Sequence, residues 1–223
     1  MKITYFAHSC FGLEGAGLRV LLDPYEPGGF GGRMRYTPIP ETWDVVIVSH
    51  EHADHDHVVP SFGDPAVLRG AGEARGLDLR TLTVPHGDAE GTVDATTRVG
   101  RFLLDDLAVV HLGDVAGPLD EAAAAVLRPV DLLFVPVGGY FTAGPAEAMA
   151  LIAQLAPRVV IPMHYKTPHA DLQIGPLEDF LAEVRYPLRR LTAGSVDLDR
   201  ASVPARTEVW TLRPTTFPRS ARW

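Results

Sequence analysis

The apolar run Val45-Val46-Ile47-Val48 passes directly into Ser49-His50-Glu51-His52-Ala53-Asp54-His55-Asp56-His57. Four histidines and three acidic residues fall within nine positions. Imidazole and carboxylate are the usual ligands of zinc and similar divalent metals. A solvated polar turn accounts for one or two such residues, but not for the order His-x-His-x-Asp-His. The chain must therefore fold so that a buried strand ends in a loop able to hold metal.

The rest of the chain supplies further strand ends. Short apolar runs bounded by Gly, Pro or Asp recur in the first half, at residues 3–6, 18–22, 80–84 and 101–104. Asp105-Asp106 reads as a tight turn joining the last of these to Leu107-Ala108-Val109-Val110, a hairpin. The second half alternates helix and strand. Helices are expected over 118–127, 145–156 and 176–184. The first two are opened by Pro118 and Pro145, the second with Thr142 as a possible cap. Strands are expected over 132–135, 158–161 and 207–212. This pattern predicts layered sheet packed by helices. One domain over 1–223 is expected, in two β/α halves, 1–106 and 107–223. Gly28-Gly29-Phe30-Gly31-Gly32 lacks the Gly-Lys-Ser/Thr ending of a phosphate loop and reads as a mobile loop or lid. The tail after Pro214 reads as peripheral.

Composition narrows the function classes. A formal net charge of -8, with no basic run longer than Arg189-Arg190, disfavours nucleic-acid binding. No segment reaches the roughly 20 apolar residues of a membrane helix. A single cysteine, Cys10, precludes an internal disulfide and fits a reducing compartment. The N-terminus reads as a strand rather than a secretory signal. A soluble cytoplasmic protein acting on a small molecule is the expectation, with homo-oligomerisation open.

Metal-capable residues sit at several of these strand ends. His50 follows 45–48, His86 follows Leu82-Val84, Asp114 follows Leu107-Val110, and His164 follows Val159-Ile161. In layered α/β proteins ligands gather outside the carboxyl ends of strands. Around them stand residues with competing readings. His8 reads equally as substrate-facing at the site mouth or as structural. Cys10 reads as a buried hydrophobe, and Asp23 as a group orienting a metal ligand or ending a strand. Tyr140, in Gly138-Gly139-Tyr140-Phe141, reads as a pocket or packing aromatic. Lys166 and His169 read as surface residues.

The series His50-x-His52-x-Asp54-His55, a separate histidine, Gly113-Asp114 and a late His164 resembles the metallo-β-lactamase fold of metal-dependent hydrolases. The resemblance covers nearly the whole chain and implies a four-layer αββα sandwich. More narrowly, residues 3–11, Leu22-Asp23-Pro24, His111-Leu112-Gly113-Asp114 and Ile161-Pro162-Met163-His164-Tyr165 resemble one branch. That branch includes L-ascorbate-6-phosphate lactonase and N-acyl-phosphatidylethanolamine phospholipase D. The family implies two divalent ions, Zn with Mn and Fe as alternatives. His50, His52 and His86 would hold one; Asp54, His55 and His164 the other; Asp114 would bridge. His111 competes with His86 for the third place, and His86 is preferred because the family sets this ligand one hairpin before Gly-Asp. Asp54 and His55 are expected where a helix begins, with Asp56 and His57 on its exposed side.

The implied chemistry is attack of a metal-activated, bridging hydroxide on an ester, lactone, amide or phosphodiester centre, with Asp54 orienting it. His111, His8 and Tyr140 are candidates for the leaving-group acid. The alternatives are an RNA- or DNA-processing nuclease of the same fold, a di-iron redox protein, and a non-enzymatic metal-binding protein.

Overall fold

Alternation along the strands sets the architecture. Val45 and Ile47 belong to one apolar cluster, whereas Val46 and Val48 belong to another. A strand buried on both faces must lie between two layers. The computed structural model describes residues 1–40, 42–87 and 95–217.

Two sheets face each other. The first holds β1 (Lys2–Ala7), β2 (Cys10–Gly15), β3 (Leu18–Leu22), β4 (Val45–Ile47) and β5 (Ala66–Leu68). The second holds β6 (Gly72–Ala74), β7 (Leu77–His86), β8 (Ala95–Leu104), β9 (Leu107–His111), β10 (Leu132–Pro136), β11 (Val159–Met163) and β12 (Leu188–Arg190). Of the last two strands, β13 (Ser195–Asp197) returns to the edge of the first sheet and β14 (Glu208–Thr211) joins the second. The orders are β13-β1-β2-β3-β4-β5 and β12-β14-β11-β10-β9-β8-β7-β6. β3, β4 and β5 run parallel, as do β9, β10, β11, β14 and β12. Parallel strands place their carboxyl ends on one rim, and there the polar strand ends collect.

The expected sandwich is present, with differences in detail. The chain leaves the first sheet after Leu68, so the sheets do not divide at 106. Asp105-Asp106 is instead a turn inside the second sheet. Both residues take left-handed φ, 51° and 60°, as a two-residue hairpin loop requires. Beyond the single turn α1 (Gly29–Gly32), the helices are α2 (Glu121–Leu127), α3 (Pro145–Leu155) and α4 (Leu177–Glu183). α2 starts later than Pro118 because Asp120 is its cap, accepting from Ala123 N–H at 2.7 Å. Gly144, not Thr142, precedes α3; the Thr142 hydroxyl donates to the Ala143 carbonyl. Leu127, Leu151, Ile152, Leu155 and Phe180 bring these helices into the same core as β9–β11. The outer face of the first sheet is covered largely by irregular chain. Tyr25, Met34, Tyr36, Ile39 and Trp43 pack on Phe6, Leu21 and Val46 there.

No α-helix directly follows the histidine cluster among the described residues; a single 3-10 turn, Pro60–Phe62, comes after it. Residues 53–55 form a turn, with His55 N–H and Asp56 N–H both donating to the His52 carbonyl, at 2.9 and 2.8 Å. Val58 and Val59 then run extended, as β-branched residues before a proline favour, and Pro60 opens the 3-10 turn. Asp56 is held by Arg69 through two hydrogen bonds of 2.8 and 2.7 Å. Residues 215–216 are not peripheral: Thr215 and Thr216 N–H donate to the Tyr5 and Phe6 carbonyls, at 3.0 and 3.3 Å. Among the described residues no helix is long and apolar enough to cross a membrane.

Phe11 ties the two sheets together, its ring centroid 4.7 Å from that of Tyr5 and 4.1 Å from that of Phe134. Phe11→Ala is expected to cost about 3–5 kcal/mol of stability, read as a lowered urea midpoint at unchanged slope.

Candidate metal centre

Seven donor side chains reach one rim from four strand ends. His50, His52, Asp54 and His55 follow β4; His86 closes β7; Asp114 follows β9; His164 follows β11. The backbone makes room for them at two glycines. A Cβ on Gly113 would stand 2.4 Å from Thr97 Oγ1 and 2.9 Å from Ser49 Cβ, so only glycine lets Asp114 approach the β4 loop. A Cβ on Gly138 would stand 2.2 Å from the His164 carbonyl oxygen. His8, Asp23 and His164 turn sharply at their strand ends, with left-handed φ of 56°, 42° and 51°. Such conformations in non-glycine residues persist where the surroundings enforce them.

Asp114 is the meeting point. Its Oδ2 lies 3.2 Å from His55 Nε2, 3.3 Å from His164 Nε2, 3.7 Å from His50 Nε2 and 3.8 Å from His86 Nε2. Two donor groups adjoin it: His50, His52 and His86 on one side; Asp54, His55, His164 and His8 on the other. Within each group the donor atoms lie within 4.8 Å of one another. Four buried atoms here, His50 Nε2, His55 Nε2, Asp54 Oδ1 and Asp114 Oδ1, have no hydrogen-bond partner among the described residues. An unpaired buried polar atom ordinarily costs about 1–3 kcal/mol. Four of them gathered in one cluster fit divalent cations, and nitrogen and oxygen donors without thiolate suit Zn, Mn or Fe.

The far side of three of these rings is held. Ser49 Oγ–H donates to Asp23 Oδ2 at 2.6 Å and accepts from His50 Nδ1–H at 2.9 Å. His55 Nδ1–H donates to Asp23 Oδ2 at 2.7 Å. His86 Nδ1–H donates to the Phe141 carbonyl at 2.9 Å. In all three Nε2 is thereby the atom presented to the centre. Asp23 thus orients ligands, as one sequence reading proposed. Ser49, Thr97 and the Phe141 carbonyl were not foreseen. Ser49 lies inside the motif, but nothing in its type separates it from an ordinary loop serine.

Burial and charge divide the ionisable groups. Burial would raise the carboxyls of Asp54 and Asp114, but His55 with His8, and His164 with His55, hold them well below the usual range. Burial opposes a charge on His55, yet Asp114, Asp54 and Asp23 outweigh it and raise its pKa. Burial, with neighbouring His164 and His55, lowers His8 to about 4 and His50 to about 3. His86 and His111 are lowered too, first by burial.

A cavity of about 460 Å³ opens over the centre. His52, Asp54, His86, Asp114 and His164 form its floor; Phe30, Arg33, Tyr140 and Phe141 contribute to its wall. The three candidates for leaving-group acid separate here. Tyr140 lines the cavity and is 47% exposed. His8 is not at the mouth: it is fully buried beneath the floor, its Nε2–H donating to Asp54 Oδ2 at 3.0 Å. His111 lies between the sheets, donating from Nε2 to the Ser9 carbonyl at 3.1 Å and accepting Gly113 N–H on Nδ1 at 3.2 Å. Neither of its nitrogens reaches the cavity, and it stands outside both donor groups. Cys10 is fully buried, and Lys166 is exposed away from the cavity lining. The loop 28–32 forms part of the rim.

Two outcomes follow from this geometry. Asp23→Asn is expected to weaken metal affinity about 10–100-fold, measured by competition with a chelating dye, while the fold is retained in circular dichroism. In protein stripped of metal, His8 and His50 protonate near about 4 and about 3 when folded but near 6.5 when unfolded. The unfolded chain then binds more protons below pH 6.5, so stability falls on acidification through that window. His55 works in the opposite sense, its contribution being present below 6.5 and lost above. The lowered groups outnumber it, and the thermal midpoint is expected to drop between pH 6.5 and 4.

Comparison with known proteins agrees with this centre. The beta-lactamase superfamily domain matches residues 2–164, a span that ends on His164 and contains every donor. A UPF0173 metal-dependent hydrolase of Methanospirillum hungatei is 33% identical, over 75% of this chain and 84% of that one. One of Carboxydothermus hydrogenoformans is 31% identical, over 80% and 91%. The crystal structure of a Thermotoga maritima protein, described as a candidate Zn-dependent hydrolase of the metallo-β-lactamase superfamily, superposes with a TM-score of 0.74 at 30% identity. That superposition covers 95% of this chain and 99% of the other. The chain therefore belongs to the metallo-β-lactamase superfamily and, within it, to the UPF0173 metal-dependent hydrolases.

Proposed function

We propose that the protein holds two divalent ions and hydrolyses an ester, lactone or phosphodiester bond of a small molecule. The observation that carries this reading is the pair of donor groups on either side of Asp114 Oδ2, with buried donor atoms unpaired. His50, His52 and His86 would hold one ion, Asp54, His55 and His164 the other, and Asp114 both. Bound divalent ions supply Lewis acidity and bring the pKa of a held water toward neutrality.

The chain's own groups do the rest. His8 fixes Asp54 by its Oδ2, leaving Oδ1 to accept a hydrogen bond from an attacking water. A carboxyl held so far below its usual range orients that water and does not retain its proton. Tyr140 is the candidate acid whose side chain lines the cavity, and its hydroxyl would donate to the leaving group. The resemblance of residues 3–11, 22–24, 111–114 and 161–165 to the ascorbate-phosphate lactonase and phospholipase D branch puts lactones and phosphodiesters first among substrates to test.

Purified protein reconstituted with Zn or Mn is expected to bind about two ions per chain and to cleave at least one member of a lactone, phosphodiester and ester panel. Asp54→Asn should lower kcat about 100-fold or more. Tyr140→Phe should slow substrates with poor leaving groups more than those with good ones. Near-zero metal uptake, unchanged by His50→Ala, would sink the proposal.

A further inference from the structure

The cavity wall carries a recognition element that the hydrolytic centre does not explain. Phe30 and Tyr140 are both large aromatics left half open to solvent, at 45% and 47% exposure. Both stand in left-handed backbone, φ 53° and 65°, a conformation unfavourable for bulky residues. They come from separate segments, the turn of residues 28–32 and the loop after β10, and both line the cavity. Neither is buried: Tyr140 meets Phe141, another wall residue, edge to face at 4.7 Å between centroids and still stays about half exposed. Strained backbone that displays apolar rings at a cavity wall points to something that lies on those rings.

Arg33 completes the element. Among the described residues it is the one Lys or Arg that lines the cavity. Its guanidinium has no hydrogen-bond or ion-pair partner among the described residues. Two positions on, Arg35 lies outside the cavity and donates to the Pro168 carbonyl at 3.1 Å. A guanidinium presents a planar fork matched to carboxylate and phosphate. The floor adds to the same preference, because two divalent ions outweigh the charges of Asp54 and Asp114.

We propose that the natural substrate is a small organic anion. Its flat or extended apolar body lies against Phe30 and Tyr140, and a carboxylate or phosphate remote from the scissile bond pairs with Arg33. This rests on the two-ion hydrolase reading for the position of the scissile bond, but its test needs no turnover.

The probes are para-disubstituted benzenes offered to zinc-loaded protein of verified metal content. Terephthalate, benzene-1,4-diacetate and benzene-1,4-dipropanoate are compared with benzoate, phenylacetate and 3-phenylpropanoate by titration calorimetry. One carboxylate engages the floor in every probe, so the second reads Arg33. At the best-fitting length the diacid is expected to bind about tenfold or more tighter than its monoacid. Arg33→Gln should bring that ratio to within about twofold, and Arg35→Gln should leave it standing. Phe30→Ala should weaken diacid and monoacid by the same factor. Bis-phosphonate analogues of the same three lengths separate a phosphate preference from a carboxylate one. A diacid advantage that survives Arg33→Gln, or no advantage at any length with either anion, overturns the proposal. Turnover of the ester and lactone panel is scored separately. Arg33-dependent binding without turnover removes the hydrolase reading alone, and turnover with Arg33-independent binding removes this one alone.

Discussion

A hydrogen bond to one imidazole nitrogen fixes the aim of the other, and three of the donor rings of the centre depend on that constraint. His50, His55 and His86 are each tethered through Nδ1, by Ser49, Asp23 and the Phe141 carbonyl. The tethers come from β3, the β4 loop and the loop after β10, so correct aim requires that both sheets be in register. Asp23 bears most of this. One carboxylate accepts from Ser49 N–H at 2.7 Å, Ser49 Oγ–H at 2.6 Å and His55 Nδ1–H at 2.7 Å. The sandwich core is therefore a condition of the chemistry as well as of stability. A one-residue slip of β4 against β3 would turn its side chains to the opposite face and carry the His50–His55 loop with them.

The same dryness that sharpens the geometry sets the charges. Four histidines near the centre are held toward the neutral form by burial, which suits His50 and His86 as ligands, while the carboxylates around them stay ionised. His55 is the exception, encircled by Asp23, Asp54 and Asp114 and held protonated in the absence of metal. Metal binding would displace that proton, so uptake is linked to pH. Left-handed turns at His8, Asp23 and His164 belong to the same arrangement. They bend strand ends into the centre at a conformational cost that the packed sheets sustain.

Much of this was legible in the chain. The donor residues announce themselves because each follows an apolar run, and strand ends are readable from composition. The layered α/β class followed from the same runs. What failed did so where tertiary context decides. His111 carries the right side chain in the Gly-Asp motif, yet it is the last residue of β9 and its ring turns in between the sheets. His8 follows a strand as the ligands do, but the chain passes beneath the floor at that point. The helix expected after Asp54 is replaced by a turn, because the β-branched pair Val58-Val59, set before Pro60, leads the chain away extended. No local pattern distinguishes Ser49 or Arg33 from solvated residues of the same type.

That last failure has a physical basis. Floor residues must satisfy metal geometry, which permits few residue types and narrow spacings, so they leave a motif. Wall residues need only present area or charge to a molecule whose shape is set elsewhere. Phe30, Arg33 and Tyr140 sit on connections that tolerate substitution without disturbing either sheet. A fold divided in this way keeps one floor while its wall changes. Reaction class is accordingly written in the strand ends, while the wall, to which the turn bearing Phe30 and Arg33 and the loop bearing Tyr140 both contribute, is set by the loops.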